Sequence, residues 1–181
     1  MQWKLYLLLP IGLMAVGCST YTTPRYSINA DTNVALKSMG VVNVSVGSFN
    51  GPSRFDTGCR ATGPLAPPDN MTHTAYVKKA LEDELKVAGA YASSTPKIIL
   101  SGNVNRLDFS SSRGLTGGSW DIDLTLNSSN GKTMNATEHY EFASGFIADT
   151  ACKQTAEAYL PTVQNLIGKI VRSPEFKILV Q

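Results

Sequence analysis

The sequence predicts an α+β domain: a two-layer sandwich in which a four-stranded, largely antiparallel sheet carries two helices on one face, in the order β-α-β-β-β-α. Three observations predict it. Residues 71–88 and 149–172 repeat apolar side chains every three or four positions, as amphipathic helices do. Three consecutive stretches between residues 98 and 143 alternate with a period of two. Asn130-Gly131, a strong short-range hairpin signal, separates the last two of these.

The elements follow in order. Gly40 opens a β-branched run, Val41, Val42, Val44, Val46 and Phe49, that fits a mostly buried first strand. Between Phe49 and Asn70, Gly51-Pro52, Gly58, Gly63-Pro64 and Pro67-Pro68 predict a long loop without regular elements. Val77, Leu81, Leu85 and Ala88 then share one helical face, with Gly89 placed to end the helix. Its opposite face carries Lys78, Lys79, Glu82, Asp83 and Lys86, the mixed charge of a solvated surface.

The second strand, about 98–109, alternates as Ile98, Leu100, Gly102 and Val104 and then slips phase to Leu107 and Phe109, which predicts a bulge near Asn105-Arg106. In the third, Trp120, Ile122, Leu124 and Leu126 point one way while Asp121, Asp123, Thr125 and Asn127 point the other. The fourth, about 132–143, keeps Met134, Ala136, Tyr140 and Phe142 in phase, with Glu138 the exception. Asp149 is placed to cap the last helix, whose stripe is Ala156, Leu160, Val163, Ile167 and Ile170. Pro161 is expected to kink or split it. After Pro174, Phe176, Ile178 and Leu179 read as a short tail packed on the sheet edge.

Residues 1–17 stand outside this fold. Lys4, the apolar run from Leu5 to Val16 and the small residues before Cys18 form a signal peptide, too short to span a bilayer as a helix. Ala15-Val16-Gly17-Cys18 resembles the lipobox of bacterial lipoproteins, which implies cleavage before Cys18 and its acylation. Ala15-x-Gly17 also satisfies ordinary signal peptidase, which would leave Cys18 free on a soluble periplasmic protein. In that same resemblance, Ser19 rather than Asp after the cysteine implies an outer-membrane address. Residues 18–38 are polar and aperiodic and are expected to be a flexible tether, about 25 Å end to end as a coil of roughly 20 residues, with Tyr21, Tyr26 and Ile28 able to dock on the domain. Residues 39–181 form one globular periplasmic domain.

Without the leader, 15 Lys and Arg face 14 Asp and Glu, and no basic stripe points to nucleic acid. With Cys18 assigned to lipid, Cys59 and Cys152 remain as an even pair in an oxidising compartment, where a structural disulfide is expected. A redox pair is the rival, but no Cys-x-x-Cys is present. His73 and His139 are the two histidines; without Gly-x-Ser-x-Gly or a spaced acidic cluster they suggest neither a hydrolase nor a metal centre, and no enzyme, cofactor or metal is expected.

Met39-Gly40-Val41, the helix ending Leu81-x-x-x-Leu85-x-x-x-Gly89-x-Tyr91, the strand 98–109 and Asn130-Gly131-Lys132 together resemble the YajG family of proteobacterial lipoproteins over most of residues 39–178. The order of elements is also similar to LptE and, more loosely, to auxiliary lipoproteins of lipid transporters. Cys59 and Cys152 are not features of the YajG pattern, so a disulfide-bearing relative is implied. The resemblance implies the two-layer fold and the lipoprotein address but no activity. The function expected is a non-catalytic outer-membrane lipoprotein, a scaffold or assembly accessory that binds an envelope protein complex. Asp121, Asp123, Thr125 and Asn127 offer the surface, which also fits a plain hydrated face. The alternative is a lipid- or glycan-binding carrier module, its ligand held between sheet and helices under a flexible loop from Ser110 to Ser119.

Overall fold

The computed structural model describes residues 19–181, so the signal-peptide expectation for residues 1–17 and the acylation expectation for Cys18 lie outside the described residues. The chain runs β1 (Tyr21–Thr22), α1 (Ala30–Met39), β2 (Val44–Asn50), β3 (Gly58–Cys59), β4 (Gly63–Ala66), a 3-10 turn (Pro68–Asn70), α2 (His73–Val87), β5 (Ile98–Arg113), β6 (Gly117–Ser128), β7 (Thr133–Ala143), α3 (Ala148–Arg172) and α4 (Pro174–Leu179).

Alternation builds the main sheet, ordered β2-β5-β6-β7. Trp120, Ile122, Leu124 and Leu126 of β6 are buried beneath the helices, and burying each large apolar side chain is worth about 1.5–3 kcal/mol. β5, β6 and β7 pair antiparallel; β2 pairs parallel to β5, which needs the crossover that α2 supplies. The expected bulge is present, as the β5–β6 register shifts between Val104 and Arg106. The hairpin after β6 closes with Gly131 at φ +82°, a left-handed position that suits glycine.

α2 packs on β2, and α3 lies across β5, β6 and β7. Trp120 joins the layers, donating its indole N–H to the Thr155 carbonyl at 2.8 Å. Cys59 and Cys152 form a disulfide that ties β3 to the first turns of α3.

Several expectations change. The segment expected as a flexible tether is ordered: β1 pairs parallel with β4, and residues 30–39 form α1, which rests on α2 and α3. Asn29 caps α1 by accepting the Thr32 N–H at 3.1 Å, and Gly40 ends it at φ +64°. Met39-Gly40-Val41 therefore closes a helix instead of opening a strand, and β2 begins at Val44. The loop from Phe49 to Asn70 contains β3, β4 and the 3-10 turn, and with β1 they form a small sheet ordered β1-β4-β3. Asp149 lies inside α3, not at its cap, and accepts a hydrogen bond from the Tyr21 hydroxyl at 2.9 Å. Pro161 does not split α3: the carbonyl it leaves without a partner belongs to exposed Glu157, where water can reach it. Tyr159, fully buried, takes the core place expected for the half-buried Leu160. The expected tail is α4, and it closes the end of the β6–β7 hairpin: Ser128 Oγ donates to the Leu179 carbonyl at 2.7 Å, and Asn130 Nδ2 to the Ile178 carbonyl at 3.0 Å.

Candidate functional site

The side of the main sheet turned away from α2 and α3 brings together the four residues picked out in β6. Each sits between two cross-strand neighbours: Asp121 between Asp108 and His139, Asp123 between Arg106 and Thr137, Thr125 between Asn103 and Asn135, Asn127 between Ser101 and Thr133. The row divides into two halves. Near the β6–β7 hairpin it is neutral and closely hydrogen-bonded: Asn105 Nδ2 donates to Thr125 Oγ1 at 2.8 Å, Thr125 Oγ1 donates to Asn135 Oδ1 at 2.7 Å, and Thr133 Oγ1 donates to Asn127 Oδ1 at 2.9 Å.

The other half is charged. His139 Nδ1 lies 2.8 Å from Asp121 Oδ1, and its Nε2 lies 3.1 Å from Glu141 and 2.8 Å from Arg113. Arg113 pairs with Glu141, and Arg106 lies 3.6 Å from Asp108 and 3.8 Å from Asp121. The hydrogen bond with Asp121, then that with Glu141, raises the His139 pKa above its ordinary value against the opposing charge of Arg113. Protonated, the ring donates to both carboxylates; neutral, its free nitrogen can accept from Arg113. The face thus offers fixed donors, acceptors and both signs of charge, which suits recognition of another polar surface.

A second concavity, of about 570 Å³, opens where the chain after β2 meets β4 and the start of α2. Phe49, Phe55, Leu65, Met71, His73 and Leu107 line it. Gly102 makes room for the Phe49 ring, since a Cβ there would come within 2.5 Å of it. His73, read from the sequence as an ordinary polar residue, is only 5% exposed and packs edge-on to Phe55 and Tyr159 at 4.8 and 5.0 Å between ring centres. Its Nε2 has no hydrogen-bond partner, and burial pushes its pKa down to about 4, so the ring is neutral at pH 7. Sequence reasoning missed this groove. Its available signals were Phe55 and Leu65, the large apolar side chains of a Gly- and Pro-rich run.

The flexible loop expected from Ser110 to Ser119 is mostly hairpin. β5 continues to Arg113 and β6 begins at Gly117, leaving Gly114–Thr116 as the turn, so it cannot cover a ligand between sheet and helices. Among the described residues, no cluster of three or more His, Cys, Asp or Glu could hold a metal ion, and no helix is long and apolar enough to cross a membrane.

No known family model matches the chain, and no curated protein is similar to it in sequence. Among solved structures, it is similar to a Xanthomonas campestris protein of the family DUF330, with a TM-score of 0.54 and 14% identity over 84% of this chain and 94% of that one. Weaker likenesses are to a candidate lipoprotein of Caulobacter crescentus, with a TM-score of 0.42 and 14% identity over 78% and 90% of the two chains, and to a hypothetical protein of Chlamydia trachomatis, with a TM-score of 0.42 and 10% identity over 78% and 99%. The fold likeness rests on the first alone: this chain shares its α+β architecture with the DUF330 protein.

Proposed function

We propose that this protein is a non-catalytic accessory domain of the bacterial envelope, held at the outer membrane by an acylated Cys18, that binds an envelope protein through the open face of its main sheet. The observation that carries this is the ladder from Asn127 to Glu141. An uncovered sheet face whose polar side chains already hold one another in place loses little side-chain entropy when a partner docks. The leader, Cys18 with Ser19 behind it and the YajG-like motifs support the address.

In-cell photo-crosslinking from positions Asp121 and Thr125 tests it, with Lys79 on α2 and Glu157 on α3 as exposed controls. The expected result is one recurrent envelope protein captured from both sheet positions and from neither control. Equal capture from all four positions, or none from the sheet, refutes it.

The groove beside His73 favours a second reading, a carrier for a lipid or other largely apolar ligand, because its volume falls in the ordinary range for small-molecule sites. Native mass spectrometry of protein released gently from the envelope separates the two: a carrier brings out a lipid-sized adduct, and an accessory domain does not.

A further inference from the structure

Leu115, Phe146 and Ile147 are 76, 76 and 69% exposed and lie on two neighbouring loops at one end of the main sheet. Leu115 is the tip of the β5–β6 turn. Phe146 and Ile147 lie in the segment between β7 and α3, which joins that turn where the Ser144 N–H donates to the Thr116 carbonyl at 2.8 Å. Three large apolar side chains in water on adjacent loops are not explained by folding, because among the described residues none is covered by another element.

The loops that carry them are held firmly. Arg60 and Ala61 take left-handed backbone at φ 45° and 55° in the turn after β3, which directs the Arg60 guanidinium at the patch. There it donates to the Phe146 carbonyl at 2.9 Å, to Ser111 Oγ at 3.1 Å and to the Ser111 carbonyl. Gln154 Oε1 accepts the Gly145 N–H at 2.6 Å. The side chains are thus presented on a braced platform.

What lies beside that platform is the start of the described chain. β1 runs parallel to β4 with Tyr21 opposite Leu65, which puts Ser19 beside Gly63, close enough that a Cβ on Gly63 would collide with the Ser19 carbonyl. Gly63 pairs in turn with Cys59, the neighbour of Arg60. Cys59 is bonded to Cys152 with 5.8 Å between Cα atoms, and Tyr21 reaches Asp149, two residues after Ile147. With strands about 4.8 Å apart, Ser19 lies on the order of 10 Å from Cys59. Ser19 and Thr20 are the only residues between position 18 and β1 in the sequence, and the described chain begins, at Ser19, at the patch end of the molecule.

We propose that Leu115, Phe146 and Ile147 dip into the headgroup region of the phospholipid leaflet that holds the Cys18 lipid, so that the domain stands on the membrane on this end. The inference rests on the acylation of Cys18 argued above. Apolar side chains seated about 5–10 Å deep add a second, weak membrane contact to the lipid, and together the two fix the orientation of the domain where a lone lipid would let it swing.

The test uses the full acylated protein in phosphatidylethanolamine–phosphatidylglycerol vesicles, with and without brominated acyl chains. After cleavage of the leader the one tryptophan is Trp120, which is fully buried, so Phe146→Trp adds a reporter at the patch and Val34→Trp, 66% exposed on α1, adds a control. Brominated lipid is expected to quench the Phe146→Trp emission at least twofold while Val34→Trp and the parent change little. Leu115→Trp, on the neighbouring turn, should behave like Phe146→Trp. Acylated protein on vesicles whose Phe146→Trp emission is unquenched overturns the inference and leaves the anchored reading standing. A blue-shifted but unquenched reporter, the mark of a second copy or a protein covering the patch, overturns it as well. If mass spectrometry finds Cys18 unmodified, the anchored reading falls and takes the inference with it.

Discussion

Lowering the pH should destabilise this domain through His73, and the size of the effect follows from where the ring sits. His73 is buried against Phe55, Trp120 and Tyr159, and desolvation lowers its pKa to about 4 from an ordinary value near 6.5. The unfolded chain therefore binds this proton more readily than the folded one. The stability tied to the neutral ring is complete above pH 6.5 and falls as pH drops from 6.5 towards 4. At about 1.4 kcal/mol per pH unit the loss is about 2 kcal/mol at pH 5 and about 3 kcal/mol below pH 4. Other groups also titrate over this range, so the measurement compares wild type with His73→Phe, which keeps a ring of similar shape and cannot be protonated. Urea unfolding followed by Trp120 emission at pH 7 and pH 5 should show wild type losing about 2 kcal/mol more than the variant. Equal losses in the two proteins would refute the buried, neutral His73.

Replacing Cys59 and Cys152 by alanine opens a link between residues 93 apart, for which chain entropy gives a ceiling of about 4–5 kcal/mol; chemical denaturation of the two forms checks this, and unchanged midpoints would mean that the bridge adds nothing. Glu84→Ala removes the acceptor for the Tyr26 hydroxyl at 2.9 Å and the Asn29 N–H at 2.7 Å and should cost about 3 kcal/mol. Hydrogen exchange should then show residues 26–39 losing protection before the main sheet does, and uniform loss would count against a local role for Glu84. His139 should titrate above 6.5 by NMR, with Asp121→Asn lowering its pKa more than Glu141→Gln, since the Asp121 bond is the larger cause. Because that pKa is raised on folding, its contribution to stability is present below 6.5 and is lost as pH rises through the folded value.

What was legible in the sequence is what one buried face writes into a single strand or helix. The Trp120-to-Leu126 alternation, the α2 and α3 stripes, the slip at Asn105 and the odd-one-out logic of the cysteines all concern residues whose partners are local or paired by number. α1 escaped because what it buries is mainly polar: Thr32, Asn33 and Leu36, with Asn33 Nδ2 donating to the Glu84 carbonyl at 3.3 Å. Apolar periodicity cannot see such a helix, although Asn29 and Gly40 marked both its ends. β1, β3 and β4 are two to four residues long, too short for any period to register. The outer row of β6 was visible as a row, but the pairs that make it a ladder join residues up to 28 positions apart, such as Arg113 beside Glu141. The groove is harder still, because it is made by Phe49, Leu65, His73 and Leu107 meeting from four separate segments.

The ordering of residues 21–39 changes what the domain can do. A coil of roughly 20 residues would have let it roam about 25 Å from its anchor. With β1 in place, Ser19 and Thr20 are the only residues between Cys18 and the folded body, and three peptide steps span at most about 10 Å. An acylated Cys18 would then hold the Leu115, Phe146 and Ile147 end at the lipid surface. β5, with 16 residues, runs from the opposite end of the sheet to that one and spans about 50 Å. The outer face from His139 to Asn127 would accordingly rise from the membrane into the periplasm, its charged half near the lipid and its neutral half far from it. A partner that docks there must meet the domain from the side, at a height set by strand length and not by a tether. Crosslinks from Asp121 and from Thr125 should accordingly fall at different depths on the same protein.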